Sequence, residues 1–446
     1  MSLDRPRGLF GSCGVRGIVG ETITDEVVER LAQAFAQTLG PGRRVCVGRD
    51  TRRSGPMLEE KLVQELVRYG LHVVRLGVLS TPGVYFLTRE LGFDAGVAVT
   101  ASHNPPEYNG FKLCNHLGMW VDQEPVERAF FGPVVLPGGP RGTAEFVDGA
   151  ETYYSRLEAL CPPPLRPLRL VVDCACGPHS LHMPDILRRQ GHEVISHNCV
   201  PDIEKCDRDP EPMARTLART IALVRDRDAD GGVCYDGDND RVVFLDRDGF
   251  IGLQQANAAM AMTVLSTAVK KVAVGSVETG RFVEDAVKRV GGTLIRTVVG
   301  DIHVAETVRR HSAALGLEEC GHYIIARLGY FSETVYPTSL MLASHDLPRV
   351  RQELADMPTF HAREVRLDCA EADKPRVMEF VSERLATVDA EVNDIDGIRV
   401  DWEDGWLLVR PSGTSPYMKV NAEAVTEDRL EELIAMGTSL VQEAPR

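Results

Sequence analysis

Four short segments of this chain concentrate side chains that handle phosphate, metal ions and sugar hydroxyls. TASHNPPEYNGFK (100–112) follows the apolar run AGVAVT. Its Asn-Pro-Pro break halts the preceding element, so the hydroxyl of Ser102 is presented on a tight loop. His103 and Lys112 stand close by in the chain. The lysine supplies positive charge where a phosphoryl group needs it, or exchanges a proton with an alcohol. A serine-rich turn with an exposed lysine has the same letters, so this segment alone decides nothing.

YDGDNDR (235–241) sets Asp236, Asp238 and Asp240 at alternate positions. Such carboxylates share a face if the chain is extended, and converge if it loops. A divalent cation relieves their repulsion, and a donor set of oxygens alone points to Mg2+ rather than zinc. An EF-hand does not fit: Arg241 and Arg247 stand where that loop needs glycine and a bidentate glutamate. A solvated acidic turn is the plainer alternative, but the flanking strands VCY and VVFLD favour a rigid site. RPSGTSP (410–416) offers the Arg410 guanidinium with hydroxyls and amides of Ser412, Gly413 and Thr414, a set suited to a phosphate or to closing a strand. It is no Walker A loop, since the chain has no Gly-Lys pair. GLEECGH (316–322) gathers Glu318, Cys320 and His322, which suit sugar hydroxyls or a polar helix end. The Gly- and Arg-rich loops 10–20 and 47–55 are consistent with anion handling.

These loops need a scaffold, and the rest of the sequence supplies an α/β one. VCVG (45–48), HVVRLG (72–77) and AGVAVT (95–100) read as strands, while 25–39 and 57–70 carry the three-and-four apolar spacing of helices. A second α/β series follows the proline-rich break 161–168. A third follows the DRDG turn at 246–249 and ends near 344–349. The C-terminal part has short strands, GIRVDW and GWLLVR, before a single long helix, which reads as α+β. Domains are therefore expected at 1–150, 151–250, 251–355 and 356–446, and 446 residues allow that many. Fifty basic against 65 acidic residues give a net charge of −15, which argues against nucleic acid or an anionic membrane as partner. The N-terminal residues are too polar for a signal peptide, and no apolar run could span a bilayer. Eleven cysteines without disulfide-module spacing point to reduced thiols in the cytoplasm.

Taken together and in this order, the segments resemble the α-D-phosphohexomutase family, which includes phosphoglucomutase, phosphomannomutase and phosphoglucosamine mutase. The resemblance covers nearly the whole chain, and its TASHNP and DGDxDR loops are highly specific. It implies three similar α/β domains and an α+β domain around one central cleft. It also implies a Mg2+-dependent phosphosugar mutase, a monomer or homodimer acting on a small phosphosugar. Ser102 would be the phosphoserine and would share the metal with Asp236, Asp238 and Asp240. Arg16, His103, Lys112 and Arg241 would serve the transfer. Glu318, Cys320 and His322 would read the sugar, and Arg410, Ser412, Gly413 and Thr414 would grip its non-reacting phosphate. Leu317, Cys320 and Ser415 depart from the family pattern, as does SETVYPTSLML (332–342), where the family tends to carry Asp-Gly-Ile. These departures are expected on substrate contacts, leaving the chemistry intact. A Mg2+-dependent phosphatase and a catalytically idle sugar-phosphate sensor are the rival readings.

Overall fold

Thr24 opens the helix Asp25–Leu39: its hydroxyl accepts the Val27 amide at 3.4 Å, and Asp25 and Glu26 fill the first turn. Acidic groups there complement the helix dipole. Val28, Leu31, Ala32 and Phe35 recur at threes and fours, and all are buried. The computed structural model describes residues 9–11, 14–133, 139–413 and 415–445, and this logic of capped, one-sided helices recurs through them. Thr414 lies outside the described residues.

Two compact units divide the chain, one of residues 1–256 and 320–351, the other of 257–319 and 352–446. The first unit carries a seven-stranded sheet in the order Phe10–Gly11, Gly14–Ile18, Tyr108–Asn115, Ala95–Val99, Arg44–Arg49, His72–Val78, Ala144–Phe146. Ala95–Val99 is parallel to Arg44–Arg49, antiparallel to Tyr108–Asn115, and buried throughout. A strand covered on both faces needs small and apolar residues along its whole length, which AGVAV provides. A five-stranded sheet runs Gly249–Phe250, Val242–Asp246, Gly231–Tyr235, Arg169–Asp173, Glu193–His197. Tyr235 stands opposite Val242 in an antiparallel pair. Residues 236–241 are therefore a hairpin loop between two fully buried strands.

The second unit contains the parallel strands Thr293–Thr297, Val272–Ser276 and Leu315–Leu317, with the helices Arg281–Arg289 and Asp301–His311. From His361 onward the pattern changes. Five antiparallel strands, His361–Asp368, Tyr417–Ala424, Gly405–Pro411, Ile398–Trp402 and Glu391–Asn393, form one sheet. Val377 and Val381 from the helix Lys374–Leu385, and Leu433 from Glu427–Glu443, share a core with Leu407 and Val420. This is the α+β part foreseen from GIRVDW and GWLLVR. Among the described residues no helix is long and apolar enough to cross a membrane.

Candidate active site

Beyond Val99 the chain turns sharply, and Ser102 sits buried at φ 53°, in the left-handed region. A non-glycine residue there persists only where its neighbours over-determine it. The Ser102 amide donates to Thr100 Oγ1 at 2.9 Å, and that hydroxyl donates to Asp50 Oδ2 at 2.7 Å. Arg52 completes the frame. Its Nε donates to Asp50 at 3.0 Å, and its two terminal nitrogens reach the carbonyls of Ser102, Asn104, Pro105 and Tyr108 at 2.6–2.8 Å. The loop 47–55 is therefore not the anion-handling element its arginines suggested. Arg52 is committed to carbonyls, Arg49 pairs with Glu59, and Arg53 pairs with Asp202 and Glu204. Lysine offers three donors where arginine offers five. Arg52→Lys is expected to leave two buried acceptors unmet and to lose at least about 2 kcal/mol, at roughly 1–3 kcal/mol for each unmet group. Chemical denaturation measures this, and unchanged stability would show that the carbonyls find other donors.

Ser102 Oγ donates to Asp236 Oδ2 at 3.2 Å, which brings the serine loop onto the hairpin loop. Gly237 permits that approach, because a Cβ there would stand 2.5 Å from the Ser102 carbonyl oxygen. Asp236 Oδ1 accepts the amides of Asp240 and Arg241 at 3.0 and 3.2 Å. Lys112 Nζ donates to Asp238 Oδ2 at 2.7 Å and to Asp240 Oδ2 at 2.6 Å. Thr81, the first residue of the helix Thr81–Glu90, donates its hydroxyl to Asp238 Oδ2 at 2.5 Å and its amide to the Asp238 carbonyl at 3.1 Å. Asp238 thus faces the positive end of a helix. His322 Nε2 lies 3.2 Å from Asp240 Oδ1, Cys320 Sγ lies 3.5 Å from His322 Nδ1, and an Arg241 terminal nitrogen lies 3.6 Å from Glu211.

The electrostatics of this cluster are uneven. Burial and the charges of Asp240 and Asp238 push Asp236 well above the ordinary carboxylate range. Burial opposes ionisation of Asp238 and Asp240 too, but Lys112 with Thr81 at Asp238, and Lys112 with His322 and Arg241 at Asp240, together outweigh it and both are held low. One oxygen from each of the three lies within 4.8 Å of the others, and Asp238 Oδ1 is buried with no hydrogen-bond partner among the described residues. An orphaned carboxylate oxygen and a carboxyl whose ionisation is opposed by burial and by its two acidic neighbours fit the group to a metal ion. Burial, with the charges of Arg241 and Arg16, holds His103 down to about 3. Its Nδ1, 3.4 Å from Ser102 Oγ, therefore belongs to a neutral ring at ordinary pH. His322 goes the other way: burial opposes its protonation, yet its contacts with Cys320 and Asp240 raise it well above the usual value. Arg16, on the strand Gly14–Ile18, has no hydrogen-bond or ion-pair partner for its guanidinium among the described residues.

The other expected residues fall in the second unit. Glu318 accepts the Gly300 amide at 2.8 Å, at the start of the helix Asp301–His311. Burial pushes its neighbour Glu319 up to about 8. Arg410, near the end of Gly405–Pro411, pairs with Glu278 at 2.8 Å and Asp396 at 3.2 Å, and its Nε is buried without a partner among the described residues. Ser412 Oγ accepts the Ser415 amide at 3.2 Å, while Lys374 Nζ donates to the carbonyls of Ser412 and Ser415 at 2.7 and 2.8 Å. Gly413 is exposed, with open space around its Cα.

Family models of all four phosphoglucomutase/phosphomannomutase domains match the chain in order: α/β/α domain I over residues 7–129, domain II over 146–249, domain III over 246–353 and the C-terminal domain over 364–437. The chain belongs to the phosphoglucomutase/phosphomannomutase family. It is accordingly an isomerase of the phosphosugar-mutase type, with the family's three α/β domains and C-terminal α+β domain. It is 37% identical to a protein of Methanopyrus kandleri named probable phosphoglucosamine mutase, over 95% of each chain. It is 33% identical to a phosphoglucomutase/phosphomannomutase of Thermococcus kodakarensis, over 98% of this chain and 99% of that one. A solved family protein from Burkholderia thailandensis superposes with a TM-score of 0.87 at 27% identity, covering 98% of each chain.

Within the family pattern, two departures lie elsewhere than expected. Leu317 is a buried core residue of the strand Leu315–Leu317, and its side chain is unavailable to a substrate. Ser332, Glu333 and Thr334 are also buried: Ser332 and Thr334 donate to the hairpin-loop carbonyls of Asp240 and Asn239, and Glu333 accepts from Tyr153 and from the amides of Val335 and Tyr336. Arg52, Thr81 and Lys374 were missed by the sequence reading. Thr81 alone had a usable signal: Ser80-Thr81-Pro82 is a helix start, and helix starts bind anionic groups.

Proposed function

We propose that this protein is a Mg2+-dependent phosphohexomutase that moves a phosphoryl group between the 1- and 6-positions of a hexosamine phosphate through phosphorylated Ser102. One observation carries the reading: a serine hydroxyl, three buried carboxylates and a lysine meet in one cluster. Phosphoserine gives its phosphoryl group to the free sugar hydroxyl. The bond from phosphorus to Oγ breaks, a bond to the sugar oxygen forms, and the proton lost by that hydroxyl is regained by Ser102. The bisphosphorylated sugar then turns and returns its other phosphate to the serine. Asp236, Asp238, Asp240 and Ser102 would hold Mg2+, which when bound supplies positive charge to the group in transfer.

The protein's own groups do the rest. Lys112, between two carboxylates, acts as a fixed ammonium rather than a base, and Arg16, unpaired among the described residues, offers its guanidinium to the phosphoryl oxygens. His103 is neutral and, with the Ser102 proton given to Asp236, donates from Nδ1 to Ser102 Oγ. Arg410, Ser412, Gly413 and Thr414 hold the non-reacting phosphate, which displaces the carboxylates now paired with Arg410. Glu318, Cys320 and His322 read the sugar, and Arg241 adds positive charge beside Asp240. The glucosamine assignment rests on relatives named phosphoglucosamine mutase at 37% and 34% identity. A cytoplasmic setting belongs to the same reading, since all ten described cysteines are free.

The test is a panel of glucosamine, glucose, mannose and pentose 1-phosphates assayed with Mg2+ for isomer and for inorganic phosphate. The expected outcome is isomerisation with the highest kcat/KM on the glucosamine ester. Inorganic phosphate without isomer would make the protein a phosphatase, and no turnover of any member would make it a sensor.

A further inference from the structure

A segment that departs from the family pattern, 332–334, packs on the loop of the three aspartates, and its hydroxyls point at that loop's backbone. Ser332 Oγ donates to the Asp240 carbonyl at 2.6 Å and accepts the Tyr323 amide at 3.2 Å. Thr334 Oγ1 donates to the Asn239 carbonyl at 2.8 Å. Asn239 occupies the left-handed region at φ 61°, so its peptide needs an external hold. The hold extends further. His179 Nε2 lies 2.8 Å from Thr334 Oγ1, and Tyr154 Oη lies 2.8 Å from His179 Nδ1.

The direction of each proton follows from the acceptors. A carbonyl can only accept, so Thr334 gives its single proton to Asn239. Nε2 of His179 must then donate to Thr334, and Nδ1 must accept from Tyr154. Burial, which holds His179 down to about 3, agrees with this neutral tautomer. The His179 amide closes the circuit by donating to Asn239 Oδ1 at 2.7 Å, and Asn239 Nδ2 donates to the Asp236 carbonyl at 2.7 Å. Glu333 anchors the segment itself: it accepts Tyr153 Oη at 2.7 Å and the amides of Val335 and Tyr336, each at 2.8 Å. These amides open the helix Val335–Ser344.

We propose that Ser332 and Thr334, with His179 behind them, are positioning residues that fix the backbone of Asn239 and Asp240 so that the three aspartates present a preformed metal site. The inference rests on the metal reading of the aspartates proposed above. None of these side chains touches substrate. Their effect is on the cost of arranging the ligands, so it appears in metal affinity before it appears in sugar binding.

The experiment measures Mg2+ binding by calorimetry and by the rise of Tm with Mg2+, on wild type, Thr334→Val, Thr334→Ser, Ser332→Ala and Asp238→Asn. Valine keeps the shape of threonine and removes the hydroxyl. Thr334→Val is expected to weaken Mg2+ binding about 10–100-fold, the range seen when groups behind a metal ligand are removed. Thr334→Ser should recover most of that loss, and KM for the sugar phosphate should stay within a few-fold of wild type. If Thr334→Val does not fold, Ser332→Ala carries the test and must weaken binding in the same way. Wild-type Mg2+ affinity in a folded Thr334→Val or Ser332→Ala, alongside lost affinity in Asp238→Asn, overturns the brace and leaves the metal reading standing. Absence of Mg2+ binding in the wild type overturns both.

Discussion

Ser102→Ala is expected to reduce mutase turnover by at least about 10^4-fold, the scale on which loss of the nucleophile removes an enzyme's covalent route. The argument is that the substitution is chemically narrow. The backbone contacts that hold residue 102 at φ 53° come from its amide, bonded to Thr100, and its carbonyl, bonded to Arg52. Alanine keeps both. Only the hydroxyl is lost, and with it the bonds to Asp236 Oδ2 and His103 Nδ1. Substrate binding should change little, because Arg410, Ser412 and Glu318 belong to other segments. Mass spectrometry of the peptide carrying residue 102, beside a turnover assay, checks the assignment. Wild-type enzyme should carry phosphate there and respond to a trace of sugar bisphosphate. Near-normal mutase activity in Ser102→Ala, or phosphate trapped on another residue, would end the phosphoserine reading.

The serine and the aspartates were legible because each lies in a short loop between strong elements, where local sequence dictates local geometry. The apolar strand AGVAV and the Asn-Pro-Pro stop mark the serine loop locally, although its final conformation is fixed by the distant Asp50 and Arg52. The strands Gly231–Tyr235 and Val242–Asp246 likewise turn alternate aspartates into a converging set. Arg52 was misread for the opposite reason. Its partners are backbone carbonyls some fifty residues away in the chain, and a carbonyl leaves no letter in the sequence. An arginine-rich loop therefore looks the same whether it awaits an anion or ties down a neighbour. The segment 332–334 shows a related limit. Its letters differ from the family pattern, but only the structure shows that Ser332 and Thr334 reach backwards to Asp240 and Asn239. Arg410 is intermediate: the motif locates it correctly at a strand end, while Glu278 and Asp396, its present partners, come from distant segments.

Asp238→Asn is expected to abolish Mg2+ activation while leaving the fold in place. Asp238 is the member of the cluster with one oxygen fully used and one not used at all. Oδ2 accepts from Lys112 and Thr81, and Oδ1 is buried and unpartnered among the described residues. Asparagine keeps one acceptor oxygen, which the Lys112 ammonium and the Thr81 hydroxyl will claim. The amide nitrogen then occupies the place of Oδ1, presenting two protons where a cation needs a lone pair. The substitution also takes away the charge that helps Lys112 rest between Asp238 and Asp240. Because the Thr81 amide still binds the carbonyl of residue 238, the hairpin loop keeps its path. Mg2+ affinity should therefore fall by more than about 100-fold, beyond the range seen for groups that only support a ligand. Turnover should fall with it and recover only partly at high Mg2+, since added metal restores occupancy but not the missing charge. Circular dichroism and metal-free Tm should remain near wild type. A variant with wild-type Mg2+ affinity and rate would show that Asp238 holds Lys112 and Thr81 in place and takes no part in binding the ion.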